Sequence, residues 1–527
     1  MPKILVLDGL SPEGVKVFEE AGFETDVRGP QKPDELAAII GDFDGLVVRS
    51  GTKVTAEALQ NAAKLKVIGR AGVGTDNIDK ATATQMGIVV MNTPGGNTIS
   101  TCEHTMALML ALCRNVPQAQ ASMEAGRWDR KKYMGTQVAG KTLGIVGVGR
   151  VGGAVAKRAQ AFEMKVIAFD PILTQLKAES LGVELVSIDE LIARSDFISV
   201  HAPKSEKTLN MLGAEQFKRM KDTVRIINAA RGGIVNEQDL AEALKNGDIA
   251  GAALDVYSKE PFEDNPFVGM ENVVMTPHLA ASTGEAQLTV AIDVAKQMVD
   301  YLNTGAIVNA VNVPSLDSET RKKLEPLLFL ADRLGAFQAA FTQGTPQELQ
   351  IEYCGDVGVT DVYPVTAAIL TGFLRPMVDN VNMVSAPLQL EERGISSSEK
   401  RSAKGSNYNF EIRMTVVSDS EEHTVSGTLF QGGDPRICSI DDLRVDARPE
   451  GHMLMCYNDD VPLIIGRVCT RIGEAGVNIA NLMLGRDARG GHAMTVINLD
   501  QPLNDEALEA VRAVPHVNEA RLITLSE

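Results

Sequence analysis

The chain has 527 residues, of which 44% are hydrophobic and 23% charged, with a formal net charge of −18. That length exceeds a single hydrophobic core and predicts roughly three or four domains, while the acidic balance argues against a nucleic acid or an anionic membrane as partner. Cys102, Cys113, Cys354, Cys438, Cys456 and Cys469 are scattered with no C-x-x-C pair, a usage that favours reduced thiols in a cytoplasmic protein over disulfides or a zinc site, and no run reaches the ~18 apolar residues of a membrane span.

The first residues, MPKILVLDGL, hold only a short apolar run before Asp8 and predict a strand, not a signal peptide. Residues 3–7, 46–49, 67–69 and 88–91 are β-like runs separated by helical patterns such as Ser11–Ala21 and Pro33–Ile40, which implies a parallel sheet. Asn97–Arg114 predicts a long helix bridging to the next unit, with Cys102 and Cys113 as packing residues and His104 as a structural or capping residue.

Lys141–Asp170, KTLGIVGVGRVGGAVAKRAQAFEMKVIAFD, reads strand, glycine turn, helix, strand. Gly147 suits the tight turn, Gly149 the approach of backbone to a pyrophosphate, and Gly152 the close packing of helix on strand. The helix start offers free N–H groups and the positive dipole end to the phosphates. Asp170 ends the second strand, roughly 20 residues on, where a carboxylate accepts from an adenosine ribose. No Arg follows it directly to meet a 2′-phosphate, so NAD is expected over NADP.

Strands are then predicted at Phe197–Val200, Val224–Asn228, Gly251–Val256 and Val273–Thr276, with helices at Asn236–Asn246, closed by Gly247, and Thr283–Leu302, which would carry the chain back to the first unit. The character changes near Val313-Pro314. Residues 320–342 predict a helix, Ile412–Val417 and Thr424–Phe430 predict strands, and polar Glu391–Asn409 predicts a surface loop. Residues 316–450 carry no catalytic motif. From Gly451 the order is strand, helix Pro462–Ala475, two strands, helix Asp505–Val514 and strand, a βαββαβ pattern.

Hydride transfer from an alcohol carbon needs a base for the hydroxyl proton and a cation for a substrate carboxylate. Arg231 in NAARGG, Glu260 in DVYSKEP and His278 in TPHLAAS all follow predicted strands, where ligands bind in open α/β sheets. His278 suits proton exchange near neutrality, Glu260 suits fixing its tautomer, and Arg231 offers a planar fork to a carboxylate. His201 also follows a strand and is expected on the nicotinamide side.

Together GRAGVGTDNID (69–79), NTPGGNTISTCEHT (92–105), GIVGVGRVG (144–152), NAARGGIVNE (228–237), GAALDVYSKEP (251–261) and TPHLAAST (276–283) resemble the D-isomer-specific 2-hydroxyacid dehydrogenases, nearest to the long members that oxidise 3-phosphoglycerate. The resemblance implies an α/β fold: a flavodoxin-like substrate domain (1–97 and 292–315) interrupted by a Rossmann-type NAD domain (98–291), then an α+β intervening domain (316–450) and an ACT regulatory domain (451–527). It implies NAD-dependent oxidation of D-3-phosphoglycerate to 3-phosphohydroxypyruvate, at the head of serine synthesis, by Arg231, Glu260 and His278. It places Arg49, Arg70 and Asn97 on the substrate, and adds Arg150, Val151, Ala230, Asp255 and Ala280 to the cofactor contacts. Two arginines beyond the carboxylate-binding one are what a dianionic phosphate requires. No metal is implied. A homo-oligomer, dimer or tetramer, is expected, with Arg130-Lys131-Lys132 beside Trp128 either reaching a neighbouring subunit or forming a solvated loop. At the ACT-like end Asn458, Asp460 and Asn478 fit an amino-acid effector such as serine. Leu463 stands where the family has Gly, which is expected to crowd that loop. Two alternatives stay open: a related dehydrogenase acting on hydroxypyruvate, glyoxylate or 2-oxoglutarate, and an NAD-sensing corepressor-like protein.

Overall fold

The computed structural model describes residues 1–356, 361–378, 381–402 and 408–525. Its first sheet has five parallel strands in the order Glu24–Val27, Lys3–Val6, Gly45–Val48, Val67–Arg70, Val89–Asn92. That is the flavodoxin-like order, whose switch point lies between the first strand and the Gly45–Val48 strand. The sheet is buried on both faces. One face packs on Leu36, Leu59 and Ile88, the other on Val290, Val294 and Met298 of the Gly284–Thr304 helix. This helix returns from the second unit, as expected of a sheet that would otherwise lack a partner for its surface. Its close seating explains two glycines. A Cβ at Gly14 would lie 2.8 Å from that of Ala291, and one at Gly69 would overlap Met298.

The second sheet has seven parallel strands in the order Val273–Met275, Gly251–Leu254, Arg225–Asn228, Phe197–Val200, Thr142–Val146, Lys165–Phe169, Glu184–Leu185. This is the doubly wound Rossmann order, and its switch point lies between Thr142–Val146 and Phe197–Val200. The Thr98–Cys113 and Arg150–Ala161 helices cover one face, burying Met106, Met109, Val155 and Ala159. Two crossover helices, Thr98–Cys113 and Gly284–Thr304, therefore link the sheets and set one row of strand ends against the other.

Beyond residue 316 the sheets are mostly antiparallel, as expected where hairpins replace helical crossovers. A six-stranded sheet packs on the Ser318–Phe341 and Tyr363–Leu374 helices. The expectation of a surface loop over 391–409 is corrected here. Ser396–Ser402 is a strand paired parallel to Pro346–Gly355, while 403–407 lie outside the described residues. Its polar composition, SSSEKRS, suits an exposed edge strand, where charge discourages further pairing, so hydropathy alone could not separate it from a loop. The Tyr363–Leu374 helix was not anticipated, because it is buried all round and shows no amphipathic period. The last sheet has the antiparallel order Ile479–Arg486, His492–Leu499, Gly451–Asp459, Val517–Leu525, the arrangement expected of βαββαβ. One face is covered by its own two helices. The other, through Met453, Met455 and Val496, completes the core of the preceding unit.

Candidate active site

The glycine turn is built as its sequence requires. Gly147 has φ +91°, and a Cβ there would meet the His201 carbonyl at 2.9 Å. A Cβ at Gly152 would overlap the Gly147 carbonyl, so only glycine lets helix and turn close. Gly149 faces open space and caps the Arg150–Ala161 helix without a side-chain hydrogen bond, leaving the helix N–H groups for an anion. Asp170 directly follows the next strand, Lys165–Phe169. Its carboxylate accepts from the N–H groups of Val148 (2.8 Å), Ile172 (3.0 Å) and Leu173 (3.2 Å), which pins it beside the turn. These features fit a dinucleotide.

From this turn a cleft of about 380 Å³ runs between the two sheets. Its walls include Asn97, Val151, His201, Ala230, Arg231, His278 and Ala280 from the sequence expectations. Val73, Gly74, Thr75, Asp76 and Lys204 line it as well and were not anticipated. Burial drives the His201 imidazole down to about 4, so it stays neutral, with Nε2 2.8 Å from the Ser199 hydroxyl.

His278 sits at φ +54°, rare for a side chain of its size, and its N–H donates to the Asp255 carbonyl (2.9 Å). Nδ1 is 2.6 Å from Glu260 Oε2, and Glu260 Oε1 accepts from the Tyr257 N–H at 2.9 Å. The hydrogen bond to Glu260 raises the His278 pKa against the cost of burial. Burial alone would push the Glu260 carboxyl up, but the His278 and Tyr257 donors outweigh it and hold it below the ordinary carboxylate range. With Nδ1 engaged, Nε2 is the nitrogen free to exchange a proton.

Arg231 donates through Nε to Asp76 (3.2 Å) and through Nη1 to the Ala230 carbonyl (2.7 Å), which leaves Nη2 uncommitted. Arg49 and Arg70 do not line the cleft itself. Arg49 follows the first sheet's Gly45–Val48 strand and Arg70 ends its Val67–Arg70 strand, where Arg70 is close enough to both Arg49 and Arg231 for mutual repulsion. Burial, with repulsion from Arg231 and Arg49, pulls Arg70 down to about 10, and its Nε is buried with no hydrogen-bond partner. Asp8 sets the neighbouring loop. It accepts from the N–H groups of Arg49 (2.8 Å) and Thr52 (3.0 Å) and from the Thr52 hydroxyl (2.6 Å). A Cβ at Gly72 would overlap the Arg70 guanidinium, and one at Gly74 that of Arg231. The signal for this was present in GRAGVGTD, whose paired glycines mark a close approach; at Gly72 the neighbour is Arg70 of the same string, at Gly74 it is Arg231 from far along the chain.

Asp255 is fully buried. Its carboxylate accepts from the Thr276 hydroxyl (2.6 Å) and the N–H groups of Leu279 (2.7 Å) and Ala280 (2.9 Å). At the far end of the chain, each proposed effector residue has an intrachain partner. Asn458 Oδ1 accepts from Thr495 (3.1 Å), Asp460 pairs with Arg486 and the Gly490 N–H (both 2.9 Å), and Asn478 donates to Asp500 (2.7 Å). Leu463 keeps the left-handed backbone that glycine would favour, at φ +74°, but its side chain is 71% exposed and does not fill the loop. Trp128 is also exposed, while Lys132 pairs with Glu271 at 2.7 Å.

Two doubly wound sheets facing each other across a cationic cleft, with a glycine-turn nucleotide cradle and a histidine–carboxylate pair, define a dinucleotide-dependent dehydrogenase. Residues 106–280 match the NAD binding domain of the D-isomer specific 2-hydroxyacid dehydrogenases, and 323–441 match the D-3-phosphoglycerate dehydrogenase intervening domain. The chain is 42% identical to the D-3-phosphoglycerate dehydrogenase of Archaeoglobus fulgidus over 99% of its own length and 100% of the relative's. It is 40% identical to that of Bacillus subtilis over 100% of each. Among solved structures, D-lactate dehydrogenase from Aquifex aeolicus complexed with NAD and lactic acid aligns with a TM-score of 0.53 at 26% identity, covering 59% of this chain and 100% of that one. The chain belongs to the D-3-phosphoglycerate dehydrogenase family.

Proposed function

We propose that this chain oxidises D-3-phosphoglycerate to 3-phosphohydroxypyruvate with NAD, the entry step of serine synthesis. One observation carries the reading. Arg231 stands beside the His278–Glu260 pair, Arg70 is close enough to Arg231 and to Arg49 to be repelled by both, and the buried Nε of Arg70 is unmatched. A substrate with a carboxylate at one end and a phosphate at the other matches that concentration of positive charge; an unphosphorylated acid offers Arg49 and Arg70 no dianion.

Gly147, Gly149, Arg150, Val151, Gly152 and Asp170 hold the adenosine and pyrophosphate portions of NAD, with His201, Ala230, Asp255 and Ala280 toward the nicotinamide. Bound there, NAD supplies the hydride acceptor. Arg231 holds the carboxylate through Nη2, its fork steadied by Asp76 and the Ala230 carbonyl. Arg49 and Arg70 hold the phosphate, and Asn97 borders the substrate end of the cleft. His278 Nε2 takes the hydroxyl proton as the carbon-bound hydrogen leaves. The imidazolium that forms is stabilised by Glu260 at 2.6 Å. A steady-state assay with NAD and paired 2-hydroxy acids, with and without phosphate, tests the reading: a clear preference for the phosphorylated acid is expected, and equal rates would overturn it.

The finer assignments belong to the same proposal. Residues 1–97 with 292–315 form the substrate domain, 98–291 the NAD domain, 316–450 the intervening domain and 451–527 the ACT-type regulatory domain. The protein works in the cytoplasm as a homo-oligomer. Serine is the effector candidate, with its ammonium toward Asn458 and Asp460 and its carboxylate toward Asn478 of a second copy. Because those groups already hold intrachain partners, inhibition is expected only at high serine. Strong inhibition at low serine would contradict that expectation, and light scattering with and without 451–527 reports its role in assembly.

A further inference from the structure

We propose that His104, together with Ser100 one turn before it, is a positioning residue: through Thr276 and Asp255 it holds the loop that presents His278. The inference rests on the dehydrogenase reading above and concerns a residue outside the lining of the cleft.

His104 Nε2 lies 3.1 Å from Thr276 Oγ1 and 3.2 Å from Asp255 Oδ1. The Thr276 hydroxyl gives its proton to Asp255 Oδ1, so its oxygen faces His104 as an acceptor. An ionised carboxylate also only accepts. Both neighbours of Nε2 are therefore acceptors, and Nε2 carries the hydrogen. Asp255 in turn organises the catalytic segment. Its carboxylate takes the N–H groups of Leu279 and Ala280, and its carbonyl takes that of His278. His278 stands in the left-handed region, uncommon for a non-glycine residue, and these bonds help hold it there.

Ser100 lies one turn before His104 on the same face of the Thr98–Cys113 helix, and its hydroxyl is 2.7 Å from that of Thr283. Thr283 caps the Gly284–Thr304 helix. One helix thus grips both ends of the 276–283 segment. The same helix begins after Asn97, in the cleft wall. The arrangement ties the crossover between the two sheets to the orientation of the base.

The test compares H104Q, whose amide nitrogen reaches about as far as Nε2, with H104N, whose amide falls short. H104N should lower kcat about 10- to 100-fold, the effect of a small misplacement of a reacting group. KM for both substrates should change little, and the isotope effect on kcat with substrate deuterated at the reacting carbon should rise. H104Q should restore most of the rate. S100A, which removes the other tether, should show a smaller fall with the same isotope signature, and it decides the matter if H104N does not fold. Wild-type kcat in H104N, a loss seen only in KM, or equal impairment of H104Q and H104N would overturn the inference. The measurements use whichever 2-hydroxy acid the wild type oxidises, so a wild type inactive on phosphoglycerate counts against the substrate assignment and not against His104.

Discussion

Two histidines in this chain pair with carboxylates in nearly the same way. His278 Nδ1 lies 2.6 Å from Glu260 at the edge of the cleft, and His423 Nδ1 lies 2.7 Å from Asp441 in the 316–450 region. Their surroundings differ. His278 is about half exposed at a strand end, and its second nitrogen is free for the cleft. His423 is only 14% exposed, stacks 4.4 Å from Phe341 and has Glu421 3.4 Å from its second nitrogen. Glu421 also pairs with Arg521, and Tyr457 donates to Asp441, so this cluster ties the 316–450 region to the last sheet. A short histidine–carboxylate contact is thus no signature of catalysis. What counts is whether the other nitrogen meets a reacting group or another fixed charge.

The largest effect should separate the two pairs directly. H278A is expected to lower kcat about 10²- to 10⁴-fold, the usual contribution of a general base, with NAD affinity by titration calorimetry retained. H423A should leave kcat near wild type. An unchanged kcat in H278A would remove this residue from the mechanism. Next in size, R70A should weaken the phosphorylated substrate by about 1.5–3 kcal/mol in kcat/KM, the worth of a hydrogen bond to a charged group, while sparing an unphosphorylated acid; equal losses would contradict the phosphate role.

A smaller effect belongs to stability. H423A breaks one bond of a partly buried network and should cost about 1–2 kcal/mol in denaturant unfolding. Burial opposes charge on His423, but Asp441 and Glu421 outweigh it and raise its pKa. A raised folded value stabilises below the unfolded one, near 6.5, and that contribution is lost as pH climbs through the folded value. The wild type should therefore lose stability relative to H423A on going from mildly acidic to mildly alkaline pH, and parallel curves would exclude this role. The smallest shift is expected from E260Q. Oxidation needs neutral His278, so its rate should rise with pH through the raised His278 pKa. Removing the Glu260 charge should move that limb toward acid, and a limb that stays in place would mean Glu260 does not set it.

The candidate catalytic strings were legible because each is local. NAARGG, DVYSKEP and TPHLAAS each pair an apolar strand with a polar end, and the open-sheet rule says which end binds. The glycine turn was legible for the same reason. The C-terminal half was harder to read. Ser396–Ser402 is a strand only because Pro346–Gly355 lies beside it, and Tyr363–Leu374 carries no helical period because it is buried on every side. His104 passed as a structural residue because its partners, Thr276 and Asp255, lie more than 150 positions away.

What the sequence determined by itself was the alternation of strands and helices in the first 315 residues and the nucleotide turn, since period and glycine placement act over a few residues; strand-end chemistry singled out candidates for the acid–base and carboxylate-binding roles. Tertiary structure alone decided the rest. It brought Arg70 near both Arg49 and Arg231, the latter more than 150 residues further along the chain, and paired Arg231 with Asp76. It also turned Leu463 outward and gave His278 and His423 opposite surroundings. Charge, burial and hydrogen-bond completion depend on everything within a few ångströms, and most of those neighbours are distant in sequence.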